Sequence, residues 1–195
     1  GTDIDPTPVI GLLGIVDDLV RRPPGATLVD GHRLVLLGPP DVSLSGSLWG
    51  ATRDARGGVL APLDLGLHQR VVDLVRGLVV SGRVDGVHDV SAGGLGVAIA
   101  EMVSRSGVGA HLARVDDHRA LFGEGPSRVV LVVDPECLSD VLAAAEAAAV
   151  PTTRIGLATG DRLIVKGLLD VSVDDVVAAH TDRLPEALGA GTTNR

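Results

Sequence analysis

Thr153-Arg154-Ile155-Gly156-Leu157 and Arg162-Leu163-Ile164-Val165-Lys166 are two β-branched, apolar runs separated by little more than Gly160-Asp161. No helix fits between them, so they read as consecutive strands, with Gly160-Asp161 as a polar hairpin turn. Two strands in succession break a strict strand–helix alternation and set the class as α+β. Working back from this pair, Pro135 to Ala149 is an Ala-dominated helix, and Arg128-Val129-Val130-Leu131-Val132-Val133 is the clearest strand in the chain. Val108 to Ala113 is another strand, and Gly107 marks the end of a helix carrying Leu95, Ile99, Met102 and Val103 on one stripe. Gly86 to Val90 is a short strand. Leu65 to Val80 is a helix with Leu67, Val71, Leu74, Val75 and Leu78 on one face. Arg33 to Gly38 is a strand stopped by Pro39-Pro40, and Pro8 to Val16 has the length and content of a strand buried on both faces. Forward of the opening pair, Val171 to Leu188 closes the chain as a helix and Ala190 to Arg195 is a disordered tail. The expectation is one α+β domain over residues 1–189, with a mixed, largely antiparallel sheet and helices packed on one face.

Composition narrows the function classes. Of 195 residues, 45% are apolar and 22% charged, and Trp49 and Phe122 are the only aromatic residues. The core must therefore be aliphatic, and no base-stacking platform can be built. A net charge of −8 argues against nucleic acid or an anionic membrane as partner. One cysteine, Cys137, excludes a disulfide framework and a multi-Cys zinc cluster. Charges interrupt every long apolar run, so no membrane span is expected. The amino terminus lacks the pattern of a signal peptide, and with no Met it reads as the start of a cut piece; the cytoplasm is the expected location.

Three segments can carry chemistry. His88-Asp89-Val90-Ser91-Ala92-Gly93-Gly94-Leu95 runs from strand through a glycine pair into a helix. Such a turn offers helix N-terminal amides to a phosphate, with Ser91 donating and His88 orienting. Equally, Ser91 can cap the helix and Asp89 satisfy loop amides. Leu121-Phe122-Gly123-Glu124-Gly125-Pro126-Ser127-Arg128 places Glu124 and Ser127 around a Gly-Pro turn, with Arg128 as an electrostatic partner for Glu124 or for a phosphate. Ser43-Leu44-Ser45-Gly46-Ser47-Leu48-Trp49-Gly50 alternates serines and glycines with apolar residues, as a flexible surface connection also would. The six histidines lack metal-site spacing, no Walker or G-x-G-x-x-G motif occurs, and Asp17-Asp18 is either a Mg²⁺ ligand pair or a solvated strand end.

Taken in register, these segments resemble one family. Ile4-Asp5-Pro6-Thr7-Pro8-Val9-Ile10-Gly11 is similar to the opening of the last domain of phosphoribosylformylglycinamidine synthase. His88 to Leu95 resembles its H-D-V-S-D-G-G-L, Leu121 to Arg128 its L-F-G-E-S-x-S-R, and Gly46-Ser47 the core of a Gly-Gly-Ser-Glu-Tyr stretch. Leu48, Trp49, Ala92 and Gly125 stand where the family has Glu, Tyr, Asp and Ser. The resemblance implies a carboxy-terminal domain of the aminoimidazole ribonucleotide synthetase type, part of a purine-biosynthesis ligase. That enzyme phosphorylates the amide oxygen of formylglycinamide ribonucleotide with ATP, and ammonia from glutamine displaces the phosphate. The catalytic His and the main ATP and Mg²⁺ ligands fall in preceding domains, so this segment alone is expected to be inactive, with no catalytic or metal residue of its own. Its phosphate or ligand contacts are expected at His88, Asp89, Ser91, Gly93, Gly94, Glu124 and Ser127. Its expected partners are the preceding domains and a glutaminase subunit, and the isolated piece is expected to self-associate through uncovered aliphatic surface. The rival readings are a related ATP-using synthetase, such as aminoimidazole ribonucleotide or selenophosphate synthetase, and a non-catalytic interaction module.

Overall fold

The computed structural model describes residues 9–15, 22–55, 57–182, 185 and 189. Within them lie seven strands and six helices in the order β1 (Arg33–Leu37), α1 (Leu48–Ala51), α2 (Leu65–Val80), β2 (Gly86–Asp89), α3 (Gly94–Ser106), β3 (Ala110–Leu112), α4 (His118–Phe122), β4 (Val129–Val133), α5 (Leu138–Ala147), β5 (Thr152–Ala158), β6 (Arg162–Val165), β7 (Leu169–Ser172) and α6 (Val173–Thr181). The strands form one sheet in the order β2-β4-β1-β5-β3-β6-β7. All neighbours are antiparallel except β3 and β6, which run parallel. The α+β class and the mixed, largely antiparallel sheet are as the sequence indicates.

The helices, however, lie on both faces of the sheet rather than on one. Leu34, Leu36, Val130 and Val132 pack with Ile99 and Met102 of α3 and Val173 and Val176 of α6. The alternate residues Val35, Leu37, Leu131 and Val133 pack with Leu67, Val71 and Leu78 of α2 and Val141 and Ala145 of α5. Central strands covered on both sides need apolar residues at every covered position, which is why Leu34 to Leu37 and Val129–Val133 read as unbroken runs, Arg33 standing exposed at the edge of the layer. Helix α2 matches its expected span and buries Leu67, Val71 and Leu78 of the expected stripe, Leu74 and Val75 being half-buried, with Asp64 capping it through Leu67 N (3.0 Å). Helix α3 ends at Gly107, whose φ of 69° is the left-handed stop that glycine supplies.

Other expectations need correction. Residues 9–15 of the first apolar run carry no secondary structure, and Leu12 and Leu13 are fully exposed. An apolar run becomes a buried strand only beside a ladder partner, and no described strand pairs with it. Residues 8 and 16, the Asp17-Asp18 pair and the 190–195 tail lie outside the described residues. The Thr153–Lys166 hairpin is not one: β3 lies between β5 and β6. Gly109, at the entry to β3, donates to Gly160 O (2.7 Å) and accepts from Thr159 N (2.9 Å), so the turn is bonded to an inserted strand. A Cβ on Gly109 would lie 2.4 Å from Arg162 O, so only glycine admits that approach. The true hairpin joins β6 to β7 through Lys166-Gly167-Leu168. The expected closing helix from Val171 therefore begins as strand β7. It turns helical at Val173, where Ser172 accepts from Asp175 N (3.1 Å) as the cap.

Candidate functional site

A cleft of about 770 Å³ opens where β2 leaves the sheet and β4 enters it. Val71, Val72 and Val75 of α2 form its aliphatic wall, and Ser45, Gly46, Leu60 and Ala61 cover it. Asp89 to Ala92 and Glu124 to Val129 close the remaining side. Four of the seven expected contact residues, Asp89, Ser91, Glu124 and Ser127, thus meet in one hollow.

Glu124 organises the rim. Its Oε1 accepts from Gly93 N (2.8 Å) and from Leu48 N (2.7 Å). Its backbone forms a two-bond bridge with Ser43, N to O at 2.9 Å each way. One carboxylate therefore sits at the N-termini of α1 and α3, where the helix dipole favours an anion. Gly94 N meanwhile donates to Ser91 O (3.0 Å). The glycine turn does bind an anion, but an internal one, and its two glycine amides already have acceptors. Both glycines are required by the backbone, at φ 83° and 69°, and a Cβ on Gly94 would meet Gly123 O at 2.7 Å.

The serine–glycine loop is a folded cap rather than a loose connection. Ser47 caps α1 by accepting from Gly50 N (3.1 Å), and Ser43 Oγ donates to Val59 O (2.7 Å). Trp49 stacks on Phe122 at 4.6 Å between centroids, with the Arg53 guanidinium 3.3 Å from the Trp49 ring centroid. Both aromatic residues of the chain are thereby used to hold this cap to α4.

His88 faces away from the main cleft. Its Nε2 pairs with Glu101 Oε2 (2.9 Å) and its Nδ1 lies 3.3 Å from Asp89 Oδ1, beside a separate hollow of about 280 Å³. The Ser91 hydroxyl donates to the Asp89 carboxylate, and this bond holds the Asp89 carboxyl below the usual carboxylate range, against the opposing effect of burial. The stabilisation this bond brings is full above the unfolded-state pKa of aspartate and is lost as pH falls through the lower folded value. Replacing Ser91 by Ala is expected to raise the Asp89 midpoint toward the ordinary range, measured by carboxyl NMR titration; an unmoved midpoint would contradict the hydroxyl's role.

Ser127 stands at φ 63°, and its Oγ lies 2.9 Å from His68 Nδ1. Arg128 makes no ion pair with Glu124, contrary to one expectation from their spacing. It is 6% exposed, and its buried Nε and Nη1 have no hydrogen-bond partner among the described residues. Burial pulls its pKa below the ordinary arginine value. Sequence reading missed His68, hidden among the apolar stripe residues of α2, and the Leu48 amide, because backbone donors leave no side-chain signature.

The fold is a single mixed sheet of α+β class with a cleft of ligand size at the end of β2 and the start of β4. The chain belongs to the family of the AIR synthase related protein, C-terminal domain, whose model matches residues 29–167. It is 38% identical over 190 residues to phosphoribosylformylglycinamidine synthase subunit PurL of Nocardioides sp., which covers 96% of this chain and 25% of that protein. The same subunit from Methylocella silvestris is 38% identical over 196 residues, covering 97% and 26%. The chain thus spans about a quarter of the length of these relatives. Among solved structures, T. maritima PurL complexed with FGAR superposes with a TM-score of 0.66 at 18% identity, covering 79% of this chain and 29% of that one. E. coli HypE, a hydrogenase maturation protein, gives 0.53 at 19%, covering 75% and 50%. These likenesses show the fold. Among the described residues no helix is long and apolar enough to cross a membrane.

Proposed function

We propose that this chain is the carboxy-terminal domain of the synthetase component of phosphoribosylformylglycinamidine synthase. That enzyme converts formylglycinamide ribonucleotide to formylglycinamidine ribonucleotide with ATP and glutamine-derived ammonia. One observation carries the reading: 38% identity to a PurL subunit along 96% of the chain. Structures of T. maritima PurL with ATP and with FGAR, and of PurLQS, support a nucleotide, a ribonucleotide substrate and further subunits as its company.

In this reading the chain shapes a substrate cleft and leaves the chemistry to preceding domains. ATP, when bound there, supplies the phosphoryl group that activates the amide oxygen. Asp89, Ser91 and Ser127 face the ligand, while Glu124, Gly93 and Gly94 hold the wall, and His88 steadies Asp89. Any Mg²⁺ that accompanies ATP belongs in this reading to the preceding domains. Leu60, Leu63 and Leu65, at 70%, 59% and 72% exposure beside the cleft, are surface that adjoining domains, or a second copy of the isolated piece, would cover.

The test is ATP-dependent amidine formation, with ammonia as nitrogen donor, by the 195-residue chain alone and by the longer polypeptide that carries it. Activity is expected only in the longer form. Turnover by the chain alone, or an inactive longer polypeptide, would overturn the assignment.

A further inference from the structure

We propose that the half of the sheet formed by β5, β3, β6 and β7 is a docking surface for an acidic amphipathic helix of a separate protein. Helices α3 and α6 cover these strands on one side, over Ala110, Leu112, Ile155, Leu163 and Val165. Among the described residues the opposite side has no such cover. The core under α2 and α5 takes in residues of β1, β2 and β4, and none of β5, β3, β6 or β7. The register sets Leu157, His111, Ile164 and Asp170 in one row across that open side, continuing from Arg33 of β1. Leu157 and Ile164 are half-buried and belong to neither core. They are the aliphatic centre of a sheet face that the chain itself leaves uncovered.

The surroundings of this pair give the partner its charge. Arg33 stands at one end of the row, Arg154 lies opposite Val35 on the same side, and Arg162 opposite Ser172. All three are exposed, as is His111. The one carboxylate in these rows, Asp170, accepts from Arg162 Nε (2.6 Å), and Arg33 and Arg154 have no ion pair among the described residues. A chain of net charge −8 thus presents a basic side here. The complement of an aliphatic centre with a cationic rim is an apolar stripe edged by Asp or Glu. Four strands span about 15 Å, which seats one helix of about 10 Å diameter, as α2 and α5 are seated on the adjoining half. A charged rim around so small an aliphatic centre suits a partner that comes and goes, since permanent interfaces are the more apolar ones. Nucleic acid is the poorer fit, because Trp49 and Phe122 are stacked on each other in the cap and no ring is left for a base.

The docking surface does not rest on the synthetase assignment, and its test measures no turnover, so either can fail alone. Two synthetic helical peptides of about 18 residues carry leucine at i, i+3, i+4 and i+7 spacing, one with glutamate and the other with lysine elsewhere. Each peptide, and a single-stranded oligothymidylate, is titrated against the full 195-residue chain and followed by fluorescence anisotropy and methyl NMR. The Leu/Glu peptide is expected to bind, to shift the Leu157 and Ile164 methyls, and to weaken as salt is raised. Arg154→Glu should weaken it about fivefold at low salt, and Ile164→Asp about tenfold. Arg70→Glu, at an exposed position of α2, should bind like the parent. Thermal melts check the fold of each variant, and exposed Arg154 decides the matter if Ile164→Asp does not fold. Absence of Leu/Glu binding, equal binding of the Leu/Lys peptide, tighter binding of the oligonucleotide, or parent affinity in both variants would overturn the proposal. So would self-association of the chain that Ile164→Asp abolishes, which would assign the face to a second copy.

Discussion

Replacement of Glu124 by alanine is expected to destabilise the chain by about 3 kcal/mol and to free the cap that covers the cleft. The side chain is the common acceptor of Leu48 N and Gly93 N, which begin α1 and α3. Removing it leaves two helix-terminal amides without a protein acceptor and takes away the charge that the α3 dipole favours. Glutamine retains one acceptor oxygen without the charge, and should lose roughly half as much. Chemical denaturation gives the magnitude, and hydrogen exchange at Leu48 and Gly93 gives the location. If both amides stay as protected in the alanine variant as in the parent, the clamp is not what orders the cap.

Gly94→Ala should be comparably damaging, at about 3 kcal/mol, for a reason that a second glycine isolates. Gly94 and Gly107 both sit at φ 69° at opposite ends of α3. At Gly107 an added Cβ meets nothing within 4 Å, so alanine there bears only the left-handed backbone strain, about 1 kcal/mol. At Gly94 the same atom would press on Gly123 O at 2.7 Å and Phe122 C at 2.8 Å, which are backbone and cannot turn aside. Urea melts of the two variants should therefore differ by about 2 kcal/mol. Equal losses would mean that the Phe122–Gly123 segment yields readily and that the wall of the cleft is soft.

Much of the fold was legible because its signals are local. The span of α2 follows from Asp64 and the Leu67–Leu78 stripe, and the end of α3 from Gly107. The unbroken apolar runs of β1 and β4 marked buried strands. Which faces they bury against was not legible, since a run apolar on both sides shows no alternation to count. The partners of β5 and β6 were hidden because Gly160-Asp161 has turn chemistry whether or not the flanking strands pair. Only Gly109, some fifty residues earlier in the chain, shows that a third strand comes between them. At the site, the segments that meet were legible as glycine-rich motifs. The identity of the anion at the turn was not, because Glu124 lies thirty-one positions from Gly93 and its acceptance of two amides leaves no pattern in sequence. Arg128 was visible as a charge, but its lack of a partner is a property of the packed chain alone.

The insertion of β3 between β5 and β6 also sets an order in time. Residues 110–112 must wait for strands that begin at 152 and 162, and β6–β7 can join the sheet only through β3. Closing a loop of that length precedes any ladder bond that rewards it, so the β3–β5–β6 junction is a late event with high contact order. During synthesis the half of the molecule around β1, β2 and β4 can assemble first, with its cleft wall in place. The parallel β3–β6 seam then locks the remaining strands on, and a chain released before Val165 would stop one step short of that lock.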